Sequence, residues 1–302
     1  MKTNCLNRRE FLAACGAFAA FELAGAPSGE APLVRFGVLT DCHYADKNMM
    51  PSGGSWKNGD MYYRDSLVKM RRFVSVMNER KPDFVIELGD FKDMSAHPTK
   101  EETFGFLETI EAEYAKFEGP RYHVLGNHDM DIFTKEEFFS RITNDGVRPT
   151  CGHYAFERGG VRFLALDSCY AEDRDDRPFA NENWRGNGIF IPPAERAWLK
   201  AELAAAGNRP VIAFCHHRLD PNTQPRTAVH NASEIRSIFK EAGNVRAVFT
   251  GHVHTGGSCN MDGMLYYSLR GMVIGPSDVA NSFAEVGVYP SGHVSITHFV
   301  NG

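Results

Sequence analysis

Five short polar motifs in the chain combine carboxylate, amide and imidazole side chains. In chain order they read Asp41-Cys42-His43, Gly89-Asp90-Phe91-Lys92-Asp93, Gly126-Asn127-His128-Asp129, His216-His217 and Gly251-His252-Val253-His254. Residues two apart on an extended chain point to the same side, so the first and third residues of such a motif can reach one small centre. These side chains suit divalent Mn, Fe or Zn, and a carboxylate can bridge two ions. The lack of cysteine among the candidate ligands disfavours a structural zinc site.

Each motif alone has a simpler explanation. Gly-Asn-His-Asp is also typical of a turn followed by a helix cap, and His216-His217 alone is more typical of core packing than of ligation. All five motifs, however, come directly after a predicted strand. Together they favour one metal site over five separate structural roles.

Strands and helices alternate through most of the chain. Apolar runs predict strands over 33–40, 83–88, 121–125, 210–215 and 245–250. Helical spacing and capping patterns predict helices over 65–80, 99–117 and 193–206, a short helix after Thr134, and a helix capped by Asn231. A hairpin is predicted at Gly159-Gly160, and antiparallel strands over 264–273 and 285–299. Because the carboxyl ends of strands in an open α/β sheet bind ligands, the motifs are expected at one rim.

Composition restricts the class of protein. The chain has 302 residues, 43% of them hydrophobic, with 33 basic against 38 acidic residues and a net charge of -5. This balance is typical of a globular protein and argues against a nucleic-acid polymer as partner. Seven cysteines without a CxxC pair suggest no disulfide framework. Serine-hydrolase and P-loop motifs are absent from the sequence.

Residues 1–32 are interpreted as a targeting signal followed by a short linker, and residues 33–302 as one domain. Arg8-Arg9 precedes an apolar run over 11–21 and Ala24-Gly25-Ala26, which resembles a twin-arginine export signal. This predicts the twin-arginine (Tat) export machinery as a partner and a periplasmic or cell-envelope location. A lipoprotein anchor at Cys15 and a buried N-terminal helix are the less favoured alternatives. The apolar run is shorter than the roughly 20 residues of a spanning helix, so no transmembrane segment is expected in the mature chain.

The motifs resemble those of the calcineurin-like metallophosphoesterases, whose pattern is D-x-H, G-D-x-x-D, G-N-H-D/E, H and G-H-x-H. The resemblance covers nearly all of residues 33–300 and implies an α/β fold, a four-layer αββα sandwich. It implies two divalent metal ions, the first held by Asp41, His43, Asp90 and His254, and the second by Asp90, Asn127, His216 and His252. It also implies attack on phosphorus by a metal-bridging hydroxide. His128 would assist the leaving group and Asp129 would orient His128.

Further residues resemble the manganese-dependent ADP-ribose/CDP-alcohol diphosphatase branch of that family. The similarity lies in the segments 41–46, 62–67, 251–257 and 269–273. It implies hydrolysis of a small-molecule phosphodiester or nucleotide diphosphate, with Tyr63, Arg64 and His217 as candidate substrate contacts. Tyr63 and Arg64 are equally well explained as the first turn of a surface helix. A phosphomonoesterase of the same fold remains an alternative function, as does a metal-binding protein without catalysis.

Overall fold

The computed structural model describes residues 4–6, 19–24, 27–51, 59–147, 152–171, 189–221 and 227–301. The strands are β1 Asn4–Leu6, β2 Ala19–Ala24, β3 Val34–Leu39, β4 Phe84–Glu87, β5 Arg121–His123, β6 Tyr154–Arg158, β7 Val161–Leu166, β8 Val211–Cys215, β9 Val245–Thr250, β10 Thr255–Met261, β11 Met264–Arg270, β12 Asn281–Val288 and β13 Val294–Asn301. The helices are α1 Asp65–Arg80, α2 Lys100–Tyr114, α3 Lys135–Phe139, α4 Pro193–Ala206 and α5 Ala232–Ala242, with a 3-10 turn at His128–Met130. Every predicted helix is confirmed to within a few residues.

These strands form two mixed sheets. One sheet has the order β1-β10-β11-β9-β8-β7-β6, and the other has the order β2-β13-β12-β3-β4-β5. Strands β3, β4 and β5 are parallel, as are β7, β8, β9 and β11. The parallel strands of each sheet therefore direct their carboxyl ends, and the loops that follow them, to one rim.

An aromatic layer packs the two sheets face to face. The ring of Phe36 on β3 lies 5.1 Å from that of Phe84, its neighbour on β4. Across the interface, the same ring meets Phe163, Phe214 and Phe249 edge-on at 5.6 to 5.7 Å. All five side chains are completely buried. Edge-to-face packing of this kind adds to the free energy gained by burying apolar area, so this layer fixes the two sheets against each other.

Helices cover the outer faces of the sheets. Helix α1 buries Met70, Phe73 and Met77, which recur at helical spacing. The ring of Phe73 lies 5.3 Å from Phe283 on β12. The helix ends at Lys81, which adopts the left-handed conformation and donates its backbone N–H to the Met77 carbonyl. With the other helices packed on the sheets in the same way, the predicted four-layer αββα sandwich is confirmed.

Two segments differ from the sequence prediction. Strand β10 was not predicted, because its polar, glycine-containing sequence TGGSCNM lacks the apolar alternation of a strand. The strand predicted over 264–273 ends at Arg270. Beyond it, Met272 and Val273 donate their backbone N–H groups to the carbonyls of Thr40 and Asp41 instead of continuing the sheet.

Part of the predicted export signal lies in the sheets. Strand β2 pairs with β13 at the edge of the six-stranded sheet, and β1 pairs with β10 at the edge of the other. Arg8-Arg9 and Cys15 lie outside the described residues. Within the described residues, no helix combines the length and the apolar character needed to cross a membrane.

Candidate metal centre

The five polar motifs lie in the loops that follow β3, β4, β5, β8 and β9. These strands place five predicted ligands at the same rim: Asp41 after β3, Asp90 after β4, Asn127 after β5, His216 after β8 and His252 after β9. Backbone hydrogen bonds tie the loops together, since Asp41 donates to the Gly89 carbonyl and His43 to the Asp90 carbonyl. The sheet edges thus gather motifs that are up to 213 residues apart in the sequence, from Asp41 to His254.

The first predicted ligand group forms a compact cluster. His43 Nε2 lies 3.1 Å from His254 Nε2, and Asp41 Oδ1 lies 3.2 Å from the same nitrogen. The other carboxylate oxygen of Asp41 accepts hydrogen bonds from the Thr40 hydroxyl at 2.8 Å and the His252 backbone N–H at 3.0 Å. Asp41 Oδ2 is therefore held by the protein, and Oδ1, which lies 3.2 Å from the same backbone nitrogen, is directed toward the two imidazoles.

The second predicted group centres on His216. Its Nε2 lies 3.1 Å from Asp90 Oδ2, and its Nδ1 donates to the Leu88 carbonyl at 2.8 Å. This contact places the ring hydrogen on Nδ1 and leaves the Nε2 lone pair facing the site. The ring of His252 lies 5.2 Å from that of His216.

Asp90 stands between the two groups. Its Oδ2 lies 3.4 Å from His43 Nε2 and 3.1 Å from His216 Nε2, so one oxygen faces a histidine of each group. Its Oδ1 accepts the backbone N–H of His128 at 2.7 Å. This is the position required of a carboxylate that bridges two ions.

The nitrogen and oxygen atoms of the cluster are better placed to bind divalent cations than to form hydrogen bonds with one another. His216 Nε2 and His252 Nδ1 are buried and have no hydrogen-bond partner among the described residues. His43 and His254 turn nitrogen toward nitrogen, a pair that can share only one hydrogen. The groups Asp41, His43, His254 and Asp41, Asp90, His216 each place their ligand atoms within 4.8 Å of one another. Nitrogen and carboxylate donors converging in this way suit Mn, Fe or Zn.

A third acidic group at this rim is not of the same kind. Asp93, His128 and Asp131 also approach within ligand distance of one another. Lysines, however, already neutralise both carboxylates, since Lys92 forms a buried ion pair with Asp131 and Lys47 Nζ lies 2.9 Å from Asp93. The structure therefore favours the two predicted ligand groups, in which Asp90 is the shared residue.

The backbone at the site adopts a strained conformation. Asp41, His43, Asp90 and His252 have φ values of 53°, 47°, 56° and 65°, in the left-handed region that residues other than glycine rarely adopt. Each such residue costs about 1 kcal/mol or more and persists only where the surrounding structure fixes it. Four of the seven predicted metal ligands lie in this region, which marks the rim as a functional site.

Two motif glycines are required by close packing. A Cβ atom on Gly126 would lie 2.2 Å from the backbone nitrogen of Asp90, and one on Gly251 would lie 2.0 Å from Thr40 Oγ1. Both distances are below any normal contact. The glycines that precede Asn127 and His252 therefore allow neighbouring ligand loops to approach.

Charge within the cluster opposes the effect of burial. Burial alone would raise the pKa of Asp41, but the imidazoles of His254 and His43 hold it well below its usual range. Burial alone would lower the pKa of His43, but Asp90, Asp41 and Asp93 raise it to about 10. In contrast, burial and the neighbouring His216 lower the pKa of His252 to about 3. The cluster thus contains buried carboxylates together with a neutral imidazole, both of which bind cations.

His128 lies at the mouth of the site. Its side chain is 24% exposed, and its ring meets that of His43 edge-on at 4.5 Å. Its Nδ1 lies 3.4 Å from Asp93 Oδ1. An imidazole placed there can reach a ligand bound at the cluster.

The predicted role of Asp129 differs from the observed contacts. Its carboxylate accepts the backbone N–H groups of Gly126, Asp90 and Phe91 at 2.9 to 3.0 Å. These bonds join two ligand loops, whereas the carboxylate beside the ring of His128 belongs to Asp93. The correction is that Asp129 braces the loops and Asp93 contacts His128.

Lys47 was missed by sequence reasoning. Its Nζ contacts Asp93, donates to the Met94 carbonyl at 3.1 Å, and lies 3.9 Å from the centre of the Tyr63 ring. Asp93 belongs to the second motif, but the sequence alone does not indicate its role. No pattern near Lys47 in the sequence could have indicated these contacts, because they depend on the tertiary fold.

Of the three candidate substrate contacts, only Arg64 is exposed. Its guanidinium pairs with Asp46 and donates to Asn48 at 3.0 Å. Tyr63 is 3% exposed and packs beside Val273 and Ile274, and His217 has no exposed surface. The contacts of Tyr63 and His217 with the substrate stay predictions, and their burial gives both side chains packing partners in the folded protein.

Comparison with known proteins agrees with this geometry. A model of the family described as calcineurin-like phosphoesterase matches residues 34–256. The chain belongs to the calcineurin-like phosphoesterase family. Members of this family are dimetal phosphoesterases, so the enzyme is a metal-dependent phosphohydrolase with two divalent ions as cofactors. The matched region contains every residue of the two candidate ligand groups.

Individual relatives carry more specific names. A protein from Oryza sativa subsp. japonica, named manganese-dependent ADP-ribose/CDP-alcohol diphosphatase, is 27% identical over 300 residues, which cover 87% of this chain and 90% of the relative. An Arabidopsis thaliana protein of the same name is 26% identical over 259 residues, which cover 75% of this chain and 81% of that relative. The crystal structure of a dimetal phosphatase from Danio rerio is similar in fold, with a TM-score of 0.74 and 20% identity over 90% of this chain and all of that one.

Proposed function

We propose that this calcineurin-like phosphoesterase hydrolyses the diphosphate linkage of small nucleotides such as ADP-ribose, releasing AMP, with manganese as its metal. The observation that carries the proposal is the position of Asp90 Oδ2, within 3.4 Å of a histidine from each ligand group. The names of the Oryza sativa and Arabidopsis thaliana relatives supply the substrate and metal. A dimetal centre of this kind suits direct attack of water on phosphorus without any covalent intermediate, here breaking the P–O–P linkage to give AMP and ribose 5-phosphate.

Seven residues would hold the ions. Asp41, His43, Asp90 and His254 would form one site, and Asp90, Asn127, His216 and His252 the other. When bound, the ions supply charge neutralisation for phosphate oxygens and acidify a water molecule. The protein supplies the fixed geometry: the Leu88 carbonyl holds the ring of His216, and Thr40 and the His252 backbone hold the carboxylate of Asp41.

His128 would hold the proton that the leaving phosphate requires. Its imidazole is partly exposed beside the cluster, and Asp93 lies against its Nδ1. That contact directs Nε2, the other ring nitrogen, away from Asp93, as required of a group that donates a hydrogen to a substrate oxygen. Asp93 is in turn fixed by Lys47 at 2.9 Å.

The proposal is tested by measuring AMP release from ADP-ribose by the purified protein in Mn²⁺. Bis-p-nitrophenyl phosphate and p-nitrophenyl phosphate serve as a generic diester and a generic monoester. We expect kcat/KM for ADP-ribose to exceed that for both. Protein stripped with a chelator should be inactive and should recover on addition of Mn²⁺. Preference for the diester would discard the nucleotide substrate, and preference for the monoester would establish the alternative function of phosphomonoesterase.

We further propose that the N-terminal 32 residues direct export by the twin-arginine (Tat) machinery to the periplasm or cell envelope. The sequence of Arg8-Arg9 and the apolar run after it support the proposal. Cell fractionation of the wild type and of an Arg8→Lys, Arg9→Lys variant tests it, with N-terminal sequencing of the product. An exported product that begins near residue 27 is expected. Retention of β2, which pairs with β13, in the exported protein would contradict removal of this segment.

A further inference from the structure

His217 is buried directly behind the second ligand group. Its Nδ1 lies 2.8 Å from Ser168 Oγ and its Nε2 lies 3.2 Å from Asn127 Oδ1. Its ring stands 4.9 Å from that of His216 and 4.5 Å from that of His252. Both ring nitrogens are therefore engaged by neutral groups, which suits an imidazole carrying a single hydrogen.

Ser168 indicates which nitrogen carries that hydrogen. The Cys215 thiol lies 3.3 Å from Ser168 Oγ and donates to it, which leaves the serine hydroxyl hydrogen available to another acceptor. That acceptor is His217 Nδ1, at 2.8 Å. With a lone pair at Nδ1, the imidazole carries its hydrogen on Nε2.

The Nε2 hydrogen in turn selects one orientation of Asn127. The oxygen and nitrogen of an asparagine amide are assigned from their hydrogen bonds, because their shapes are nearly identical. Facing a donor, the amide must present its oxygen, in agreement with the 3.2 Å contact between His217 Nε2 and Asn127 Oδ1. This oxygen has two lone pairs, so it can accept from His217 and offer the other to a cation, whereas an amide NH₂ in its place would offer none. Asn127 lies between Gly126 and His128, which both contact the loop of Asp90.

We infer that His217 is a positioning residue: together with Ser168 it fixes the amide of Asn127 with its oxygen available to the second metal ion. The inference rests on the proposed function, which places Asn127 among the metal ligands. It gives the second histidine of the His216-His217 pair a role that differs from substrate contact. It also accounts for the complete burial of His217 beside the metal centre.

A direct ligand role is the competing explanation. His216, His217 and His252 place ring nitrogens within 4.8 Å of one another, so His217 is near enough to contribute. A ligand would need a free lone pair at the ion, however, and both nitrogens of His217 already face hydrogen-bonding partners. The two roles predict different responses to substitution of Ser168, which does not approach a ligand position.

Manganese titration of the full-length protein tests the inference without substrate. The protein is stripped of metal and titrated with Mn²⁺, with electron paramagnetic resonance following free and spin-coupled ions and mass spectrometry giving the metal content. His217→Phe should retain the first ion and weaken the second by about 10- to 100-fold, as expected when a group that orients a metal ligand is lost. His217→Gln should recover most of this affinity, because its amide NH₂ can donate to Asn127 Oδ1. Ser168→Ala should show a smaller loss of the same kind.

A matched control separates positioning from stability. Phe214→Leu changes a buried residue of the same strand, facing the layer between the sheets, and should keep both ions despite lower stability. Equal weakening by His217→Gln and His217→Phe, with Ser168→Ala unchanged, would overturn the inference and make His217 a ligand. Unchanged binding of the second ion in His217→Phe would also overturn it. If the wild type binds two Mn²⁺ ions with this pattern but does not turn over ADP-ribose, the proposed substrate fails while the positioning role stands.

Discussion

The metal-facing rim and the layer between the sheets are built from the same strands but differ in side-chain chemistry and in backbone conformation. Strand β3 buries Phe36 between the sheets and ends next to Asp41, whose φ is 53°. Between the sheets the side chains are aromatic and the backbone is regular. At the rim the side chains are charged or polar, and several ligands occupy the left-handed region. The difference indicates that a rigid apolar layer supports a rim whose local conformation would not persist alone.

The rim also depends on buried polar contacts between its loops. Asp129 holds two ligand loops through three backbone N–H groups, and Lys92 joins Asp131 and the His128 carbonyl beneath them. Groups buried in this way are costly to unpair, at about 1 to 3 kcal/mol each. Substitution of a metal-facing side chain should mainly affect function, whereas substitution of a bracing residue such as Asp129 or of a residue between the sheets should mainly affect stability.

The largest effect is expected from Asp90→Ala. Its Oδ2 faces histidines of both ligand groups, so its removal should release both ions and reduce AMP formation to background. Metal content measured by mass spectrometry, alongside activity, checks this. Asp90→Ala that kept two ions would show that the carboxylate does not bridge.

His128→Ala should separate chemistry from metal binding. Its imidazole stands at the mouth rather than within the ligand groups, so both ions should remain while kcat falls by about 10²- to 10⁴-fold. KM should change little. Loss of metal equal to that in Asp90→Ala would place His128 among the ligands and refute the division of roles.

In the interior, Phe36→Ala should show the converse behaviour. The ring contacts aromatic residues of both sheets, so its removal leaves a cavity and should lower the free energy of unfolding by about 3 to 5 kcal/mol. Guanidinium denaturation measures this change. At temperatures where the variant is folded, its metal content and kcat should match the wild type. A large fall in kcat of the folded variant would mean that the two regions are not separable.

How far the sequence predicts each region follows from the range of its interactions. Local sequence patterns predict most of the strands, the helix Asp65–Arg80 and the metal motifs. These predictions are confirmed at the level of the fold. The contact of Lys47 with Asp93 and the burial of His217 depend on loops brought together by other strands. Asp129 was given the wrong contact because adjacency to His128 suggested a shared role, whereas its side chain faces Asp90 and Phe91.

A polar exception within the interior gives a pH-dependent test. His298 on β13 is buried, and its ring nitrogens lie 2.8 Å from the Tyr267 hydroxyl on the opposite sheet and 3.0 Å from Ser282. Burial, with Arg270 adding to it, lowers its pKa from 6.5 to about 4. Between pH 6.5 and pH 4 the unfolded chain binds more protons at His298 than the folded chain does. The stabilisation by neutral His298 is therefore complete above pH 6.5, and the free energy of unfolding falls by about 3 kcal/mol as the pH decreases to 4.

Denaturation at pH 7 and at pH 4.5 measures this loss against a variant. In His298→Gln the titrating group is absent while an amide remains for Tyr267 and Ser282. The difference in stability between the two pH values should therefore be smaller than in the wild type by roughly 2 to 3 kcal/mol. An identical pH dependence in both proteins would show that His298 is protonated to the same degree when folded and unfolded.

The smallest effect is expected from Arg64→Ala, at the exposed margin of the rim. Its guanidinium is half exposed and pairs with Asp46, which is more exposed still, so its loss should change stability by less than about 1 kcal/mol. Metal content and kcat should be unchanged. If the guanidinium contacts the substrate as the sequence predicts, KM for ADP-ribose should rise by up to about fivefold, which is the kinetic equivalent of 1 kcal/mol. Asp46→Asn is the matched control, because it breaks the same ion pair but keeps the positive charge. A rise in KM in both variants would assign the effect to loop geometry, whereas a rise in Arg64→Ala alone marks a direct contact.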